Sequence, residues 1–170
     1  MSGDDLYLGT EPMRRGLELD PMAVANFFKD LFPDFEGSIQ ITQFKGGQSN
    51  PTYRVTSKDR DWVIRRKPPG LLLPSAHAVD REYRILSALG KTGMPVPKTH
   101  ILCMDEKILG TPFYVMDYLE GTVYWNAMMP EMNFKTRVDV YESMNESIAK
   151  LHQVNFESLG LSDFGKPGNY

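Results

Sequence analysis

The sequence predicts an α+β fold in which a five-stranded antiparallel sheet carries one packed helix and leads into a helical segment. Three observations predict it. Five short runs rich in β-branched and aromatic residues occupy 38–44, 52–57, 61–67, 99–104 and 112–118. The links between the first three runs are too short for a crossover helix, so those strands must be antiparallel neighbours. The amphipathic runs interrupt the strands once and then follow them, an order that segregates helix from sheet instead of alternating the two.

Residues 1–19, polar and acidic, read as a flexible N-terminal segment without the apolar core of a secretion signal. The run "DPMAVANFFKDLF" at 20–32 reads as a helix, with Asp20 as cap and Pro21 where a missing N–H costs nothing. Val24, Phe27, Phe28 and Leu31 fall on one face of it. In "DWVIRRK", alternation sets Trp62, Ile64 and Arg66 against Val63 and Arg65. The prolines of "KPPGLLLPS" end that strand. A helix is expected from Ser75 to about Leu89, striped by Val79, Tyr83, Leu86 and Leu89, with Gly90 as its stop. The last two strands are expected to be joined by a polar turn around Asp105 and Glu106. A long helix over 134–155 places Phe134, Val138, Tyr141, Met144, Ile148 and Leu151 at helical spacing. The expected units are therefore the segment 1–19, a sheet lobe over 20–118, a connector at 119–122 and the start of a helical lobe over 123–170.

Composition narrows the function classes. The chain has 170 residues, 41% of them hydrophobic, which is enough for one sizeable core. Its formal net charge of −3 supplies no basic field for nucleic acid. No apolar run reaches the roughly 18 residues of a membrane-spanning helix. A single cysteine, Cys103, excludes an intrachain disulfide and suits a reducing, cytoplasmic setting. His77, His100 and His152 are scattered, read as surface or capping residues, and build no zinc site. No metal ligand is assigned within the chain.

Four features then align. The loop "KGGQSN" offers Gly46 and Gly47, which let backbone N–H groups approach a phosphate closely, with Gln48, Ser49 and Asn50 beside them. Alone it reads more readily as a plain turn. Arg65 shares a strand face with Val63, so a flat base could lie under Val63 while the cation reaches phosphates. Glu82 stands inside the helix after that strand, where it can pair with Arg65 in the bidentate geometry arginine favours. "YVMDYLEG" ends the last strand in an extended connector, whose Asp117 carbonyl and Leu119 amide are placed to read a base edge. Glycine loop, strand cation, helix carboxylate and connector, in this order, make the nucleotide half of a protein-kinase-like fold.

The segments "QFKGGQSNPTY", "WVIRRKPPG", "LLPSAHAVDREYRILSAL", "GTPFYVMDYLEG" and "IAKLHQVNFESLGL" resemble the aminoglycoside-phosphotransferase, or choline-kinase-like, superfamily. The resemblance is closest to the branch related to the kinase-like domain of acyl-CoA dehydrogenase fusions. It covers about residues 20 to 170. It implies ATP- and Mg2+-dependent transfer of a γ-phosphoryl group to a small-molecule hydroxyl, with a hydroxyacyl-CoA suggested by that branch. It makes Gly46 to Asn50 the phosphate-covering loop, Arg65 the usual strand lysine, Glu82 its partner and Asp117 to Leu119 the hinge. The family's His-Gly-Asp loop, following asparagine and magnesium-binding aspartate are not in the sequence, and "SDFG" at 162–165 reads as an ordinary loop. The expectation is thus an N-terminal fragment of an enzyme, with the catalytic residues and Mg2+ ligands in a missing lobe and the fragment itself inactive. The stripe on the long helix would then be exposed or used for self-association. Two other classes compete: a non-catalytic, pseudokinase-like regulatory module, and a protein-interaction domain whose glycine loop is only a turn.

Overall fold

A computed structural model describes residues 8–46, 49–70, 76–165 and 168. The chain runs β1 (Thr10–Glu11), α1 (Pro21–Leu31), β2 (Gln40–Phe44), β3 (Thr52–Thr56), β4 (Asp61–Arg66), α2 (Val79–Leu89), β5 (Thr99–Cys103), α3 (Glu106–Leu109), β6 (Phe113–Asp117) and α4 (Phe134–His152). The sheet is antiparallel and has six strands in the order β1-β2-β3-β4-β6-β5. The sixth strand comes from the segment expected to be a flexible lead-in. Thr10 and Glu11 pair with Phe44 and Gln43, and the Arg14 guanidinium donates to the Lys45 carbonyl at 2.7 Å. The expected polar turn at Asp105–Glu106 is instead the start of α3, whose first turn Asp105 caps by accepting from the Lys107 amide at 2.9 Å.

The sheet has two unlike faces. One carries Tyr53, Val55, Trp62, Ile64, Phe113 and Val115, all buried, and α1 lies on it through Val24 and Phe28. Asp20 caps α1 by accepting from the Met22 amide at 2.9 Å, as its position in the sequence requires. Phe28 meets Trp62 edge-on at 5.1 Å between ring centroids, and Phe32 stacks on Trp62 at 4.9 Å. Each such buried side chain contributes roughly 1.5–3 kcal/mol by leaving water. This is the core of the lobe.

The opposite face carries Arg54, Val63, Arg65, Tyr114 and Met116, which the strand register sets side by side: Arg54 opposite Val63, Val63 opposite Met116, Arg65 opposite Tyr114. Helix α2 covers the β6-β5 end of this face. Val79 and Ala88 are buried there, and Ser87 and Thr99 share a hydroxyl hydrogen bond of 2.7 Å. Ser75 itself lies outside the described residues. The helix expected from it begins later, at Val79 with Ala78 as its cap, because His77 has φ 58° and cannot continue a right-handed helix; from Val79 onward it follows the expected stripe.

Helix α4 packs differently. None of its residues is buried, and Phe134, Met144 and Ile148 are 75%, 52% and 48% exposed. Its apolar stripe is therefore formed but uncovered. Among the described residues no helix is long and apolar enough to cross a membrane.

Candidate functional site

Arg65 and Glu82 form the centre of the sheet face opposite the aromatic core, beside the end that α2 covers. Nε of Arg65 donates to Oε2 of Glu82 at 2.5 Å, and Nη2 donates to Oε1 at 3.1 Å. The strand pleat aims Arg65 at this face, and α2 brings Glu82 over it in its first turn. The guanidinium also reaches back toward the glycine loop: Nη1 donates to the Thr52 hydroxyl at 2.9 Å and approaches the Asn50 carbonyl at 3.4 Å. The carboxylate accepts from the Tyr114 hydroxyl at 3.2 Å and from the Asn50 side-chain amide at 2.9 Å. Four chain segments thus meet here: the stretch Asn50–Thr52, β4, α2 and β6.

The electrostatics follow from this crowding. Burial pushes the Glu82 carboxyl upward, but the hydrogen bonds and charge of Arg65, helped by Tyr114 and Asn50, outweigh it and hold the group below its ordinary value. Burial works against the charge on Arg65, and Glu82 more than restores it. Burial and the neighbouring Glu82 charge both push the Tyr114 phenol upward, so it stays a neutral donor.

The other candidate residues fall around this centre. Val63 is 5% exposed and faces Met116 and Arg54 across the strands. Gly46 and Ser49 flank the loop, whose Gly47 and Gln48 lie outside the described residues. Asn50 is 2% exposed, and its side chain is engaged by Glu82 and His77. Leu119 is 57% exposed at the connector. Tyr118, next to it, lies under the Arg54 guanidinium at 4.1 Å and beside the Phe44 ring, which closes the connector onto β2 and β3. Asp117 turns its carboxylate to the opposite face, where it accepts from Arg60 at 2.5 Å and lies 2.6 Å from His100 Nε2. His100, expected at the surface, is packed there against Phe32 at 5.1 Å.

Sequence reading missed Thr52, Tyr114 and His77 as partners of the site. The first two were within reach of it, since each stands opposite Arg65 in the strand register and the alternation of "PFYVMDY" puts Tyr114 with Met116. His77 gave no signal, because its partner Asn50 is 27 residues away. The segment "SDFG", read as an ordinary loop, is docked on α2. Arg84 pairs with both oxygens of Asp163 at 2.6 and 2.7 Å, and Arg81 donates to the Phe164 carbonyl at 2.9 Å.

A family model described as "Phosphotransferase enzyme family" matches residues 40–170, the whole stretch from β2 onward. The chain belongs to this phosphotransferase family. A crystal structure from Ralstonia eutropha, described as a putative aminoglycoside phosphotransferase, superposes with a TM-score of 0.76 at 37% identity. It covers 90% of this chain, which in turn covers 44% of that one. The fold is accordingly that of the N-terminal part of a kinase-like phosphotransferase. Among curated relatives, acyl-CoA dehydrogenase family member 10 of Mus musculus is 41% identical over 99% of this chain. The family member 11 of Homo sapiens is 38% identical over 79% of it. This phosphotransferase-family chain spans 16% and 17% of the length of those two relatives.

Proposed function

We propose that the chain is the nucleotide-binding lobe of an ATP-dependent small-molecule phosphotransferase, acting on a hydroxyl acceptor. The observation that carries this reading is the Arg65–Glu82 pair, tied through Asn50 to the end of a glycine loop. A guanidinium oriented by a carboxylate, with a glycine-lined loop beside it, fits a polyphosphate. Val63 and Met116 supply an apolar ceiling for a base, and the connector from Asp117 to Leu119 supplies backbone donors and acceptors at its edge.

The residues present fit a nucleotide better than they fit a metal. Among the described residues no cluster of three or more His, Cys, Asp or Glu side chains could hold a cation. Under this reading the Mg2+ ligands and the catalytic base belong to the portion of the relatives that the chain does not span. When bound, ATP would supply the phosphoryl group, and this lobe would orient it and hold its charge. The curated relatives are named as acyl-CoA dehydrogenase family members, and by analogy with them the acceptor in this reading is a hydroxyl-bearing acyl-CoA, a hydroxyacyl-CoA.

Calorimetric titration of the chain with ATP and Mg2+ tests the reading. Binding is expected, and Arg65→Ala should weaken it at least about tenfold, the loss of a charged hydrogen-bond donor. Equal affinity in the variant would sink the proposal and favour a lobe whose glycine loop is only a turn.

A further inference from the structure

Asn50 lies between two side chains that come from beyond β4. Its amide nitrogen is 2.9 Å from Glu82 Oε1, and its amide oxygen is 3.0 Å from Nδ1 of His77. Chemistry sets the direction of both bonds. Glu82 is held ionised by Arg65 and can only accept, so Asn50 must present its NH2 group to it. Its carbonyl oxygen then faces His77, which requires the hydrogen on Nδ1. The result is a one-way chain of donors, from His77 to Asn50 to Glu82, ending on the carboxylate that holds Arg65.

The backbone supports a specific role for the imidazole. His77 has φ 58°, in the left-handed region that is uncommon for residues other than glycine and in which asparagine, aspartate and histidine are the usual exceptions. It stands just before Ala78, the cap residue of α2, and its carbonyl accepts from the Val79 amide at 2.9 Å. This conformation delivers the ring to an Asn50 that is 2% exposed.

We infer that His77 is a positioning residue: it fixes the Asn50 side chain and so ties the end of the glycine loop to α2 and to the Arg65–Glu82 pair. The tie makes the loop and the helix move together, so a shift of α2 would carry Asn50 with it. Only its consequence for ligand binding rests on the nucleotide reading above.

Two variants of the 170-residue chain separate the bond from the backbone. His77→Gly keeps the left-handed conformation without strain but removes the donor. His77→Asn keeps both, since its amide nitrogen takes the place of Nδ1 and asparagine tolerates positive φ. NMR exchange of the Asn50 side-chain amide reads the tie directly, and a fluorescent ATP analogue with Mg2+ reads its effect on the site. His77→Gly should speed that exchange and weaken analogue binding by about fivefold each, while His77→Asn stays within about twofold of the parent, as expected for one neutral hydrogen bond. Unchanged exchange in His77→Gly, failure of His77→Asn to restore it, or unaltered analogue affinity in His77→Gly would each overturn the inference. If no form binds the analogue while exchange responds as expected, the tie stands and the nucleotide reading falls.

Discussion

Arg65 and Glu82 meet in a two-bonded ion pair, at 2.5 and 3.1 Å, that joins β4 to the first turn of α2. The pair is partly sheltered, with side-chain exposures of 25% and 33%. It therefore has both a structural and an electrostatic consequence, and the two can be separated by pH.

Glu82 is held below its ordinary value of 4.5, burial opposing and the bonds from Arg65, Tyr114 and Asn50 prevailing. The unfolded chain thus binds this proton more tightly than the folded one, and stability rises with pH across that window. The contribution is complete above about 4.5 and is lost as pH falls through the lower, folded value. Glu82→Gln should lower the urea midpoint at pH 7, and the deficit should be smaller at pH 3. Asp117 has the same sign, burial raising it and His100 and Arg60 lowering it further, so the acid limb should flatten in the variant without vanishing. A deficit of equal size at both pH values would show that the charge on Glu82 is immaterial.

Arg66 stabilises the lobe from the other face. It is 5% exposed, and its guanidinium donates to the carbonyls of Leu109 and Leu17 at 2.9 and 3.1 Å and to the Tyr53 hydroxyl at 3.3 Å. It thereby fastens the N-terminal segment and α3 to the sheet. Arg66→Met should cost about 1–3 kcal/mol in urea unfolding, because the Leu109 carbonyl loses the guanidinium donor and the Leu17 carbonyl keeps only the Tyr53 hydroxyl. Arg66→Lys should not restore the loss, since an ammonium cannot span the same fork of acceptors. Full stability in Arg66→Lys would show that charge alone suffices there.

The contrast between the two adjacent arginines shows how far the sequence could be read. Alternation separated Arg65 from Arg66 correctly, because the strand pleat has a fixed period of two. The pairing of Arg65 with Glu82 was also legible, since a helix that follows a strand by a short link must return over it. The destination of Arg66 was not legible, because its acceptors are backbone carbonyls on segments far along the chain, and carbonyls leave no mark in side-chain pattern. Strand β1 escaped for a related reason. Two residues carry no periodicity, and their pairing is decided by Phe44 and Gln43 some thirty positions on. At the site, Gly46, Val63, Arg65 and Glu82 could be placed from spacing, whereas the bond from His77 to Asn50 depends on a left-handed backbone that no neighbour in sequence announces.

The docking of residues 160–164 on α2 should be local. Arg84 grips Asp163 and the Gly160 carbonyl, and Arg81 lies over the Phe164 ring at 4.7 Å. Arg84 is solvent-exposed, so its bonds order the segment without carrying the fold. Arg84→Ala should speed amide exchange and proteolytic cutting around Asp163 and Phe164 while leaving the thermal midpoint unchanged. Slower or unaltered cutting would mean that the Phe164 contact with Arg81 alone holds the segment.

The uneven burial of the two amphipathic helices gives the last prediction. On α1, Phe28 is fully buried against Trp62, Phe32 and Phe35. Its truncation opens a cavity in the only face of the sheet that forms an aromatic core among the described residues, and Phe28→Ala should cost about 3–5 kcal/mol. On α4, Ile148 is equally apolar yet 48% exposed and removes little from water. Ile148→Ser should change stability by no more than about 0.5 kcal/mol at low protein concentration, the range for exposed positions. Urea unfolding of the two variants side by side decides the matter. A large loss in Ile148→Ser would mean that the α4 stripe is covered in solution, and repeating the measurement across protein concentrations would show whether a second copy covers it.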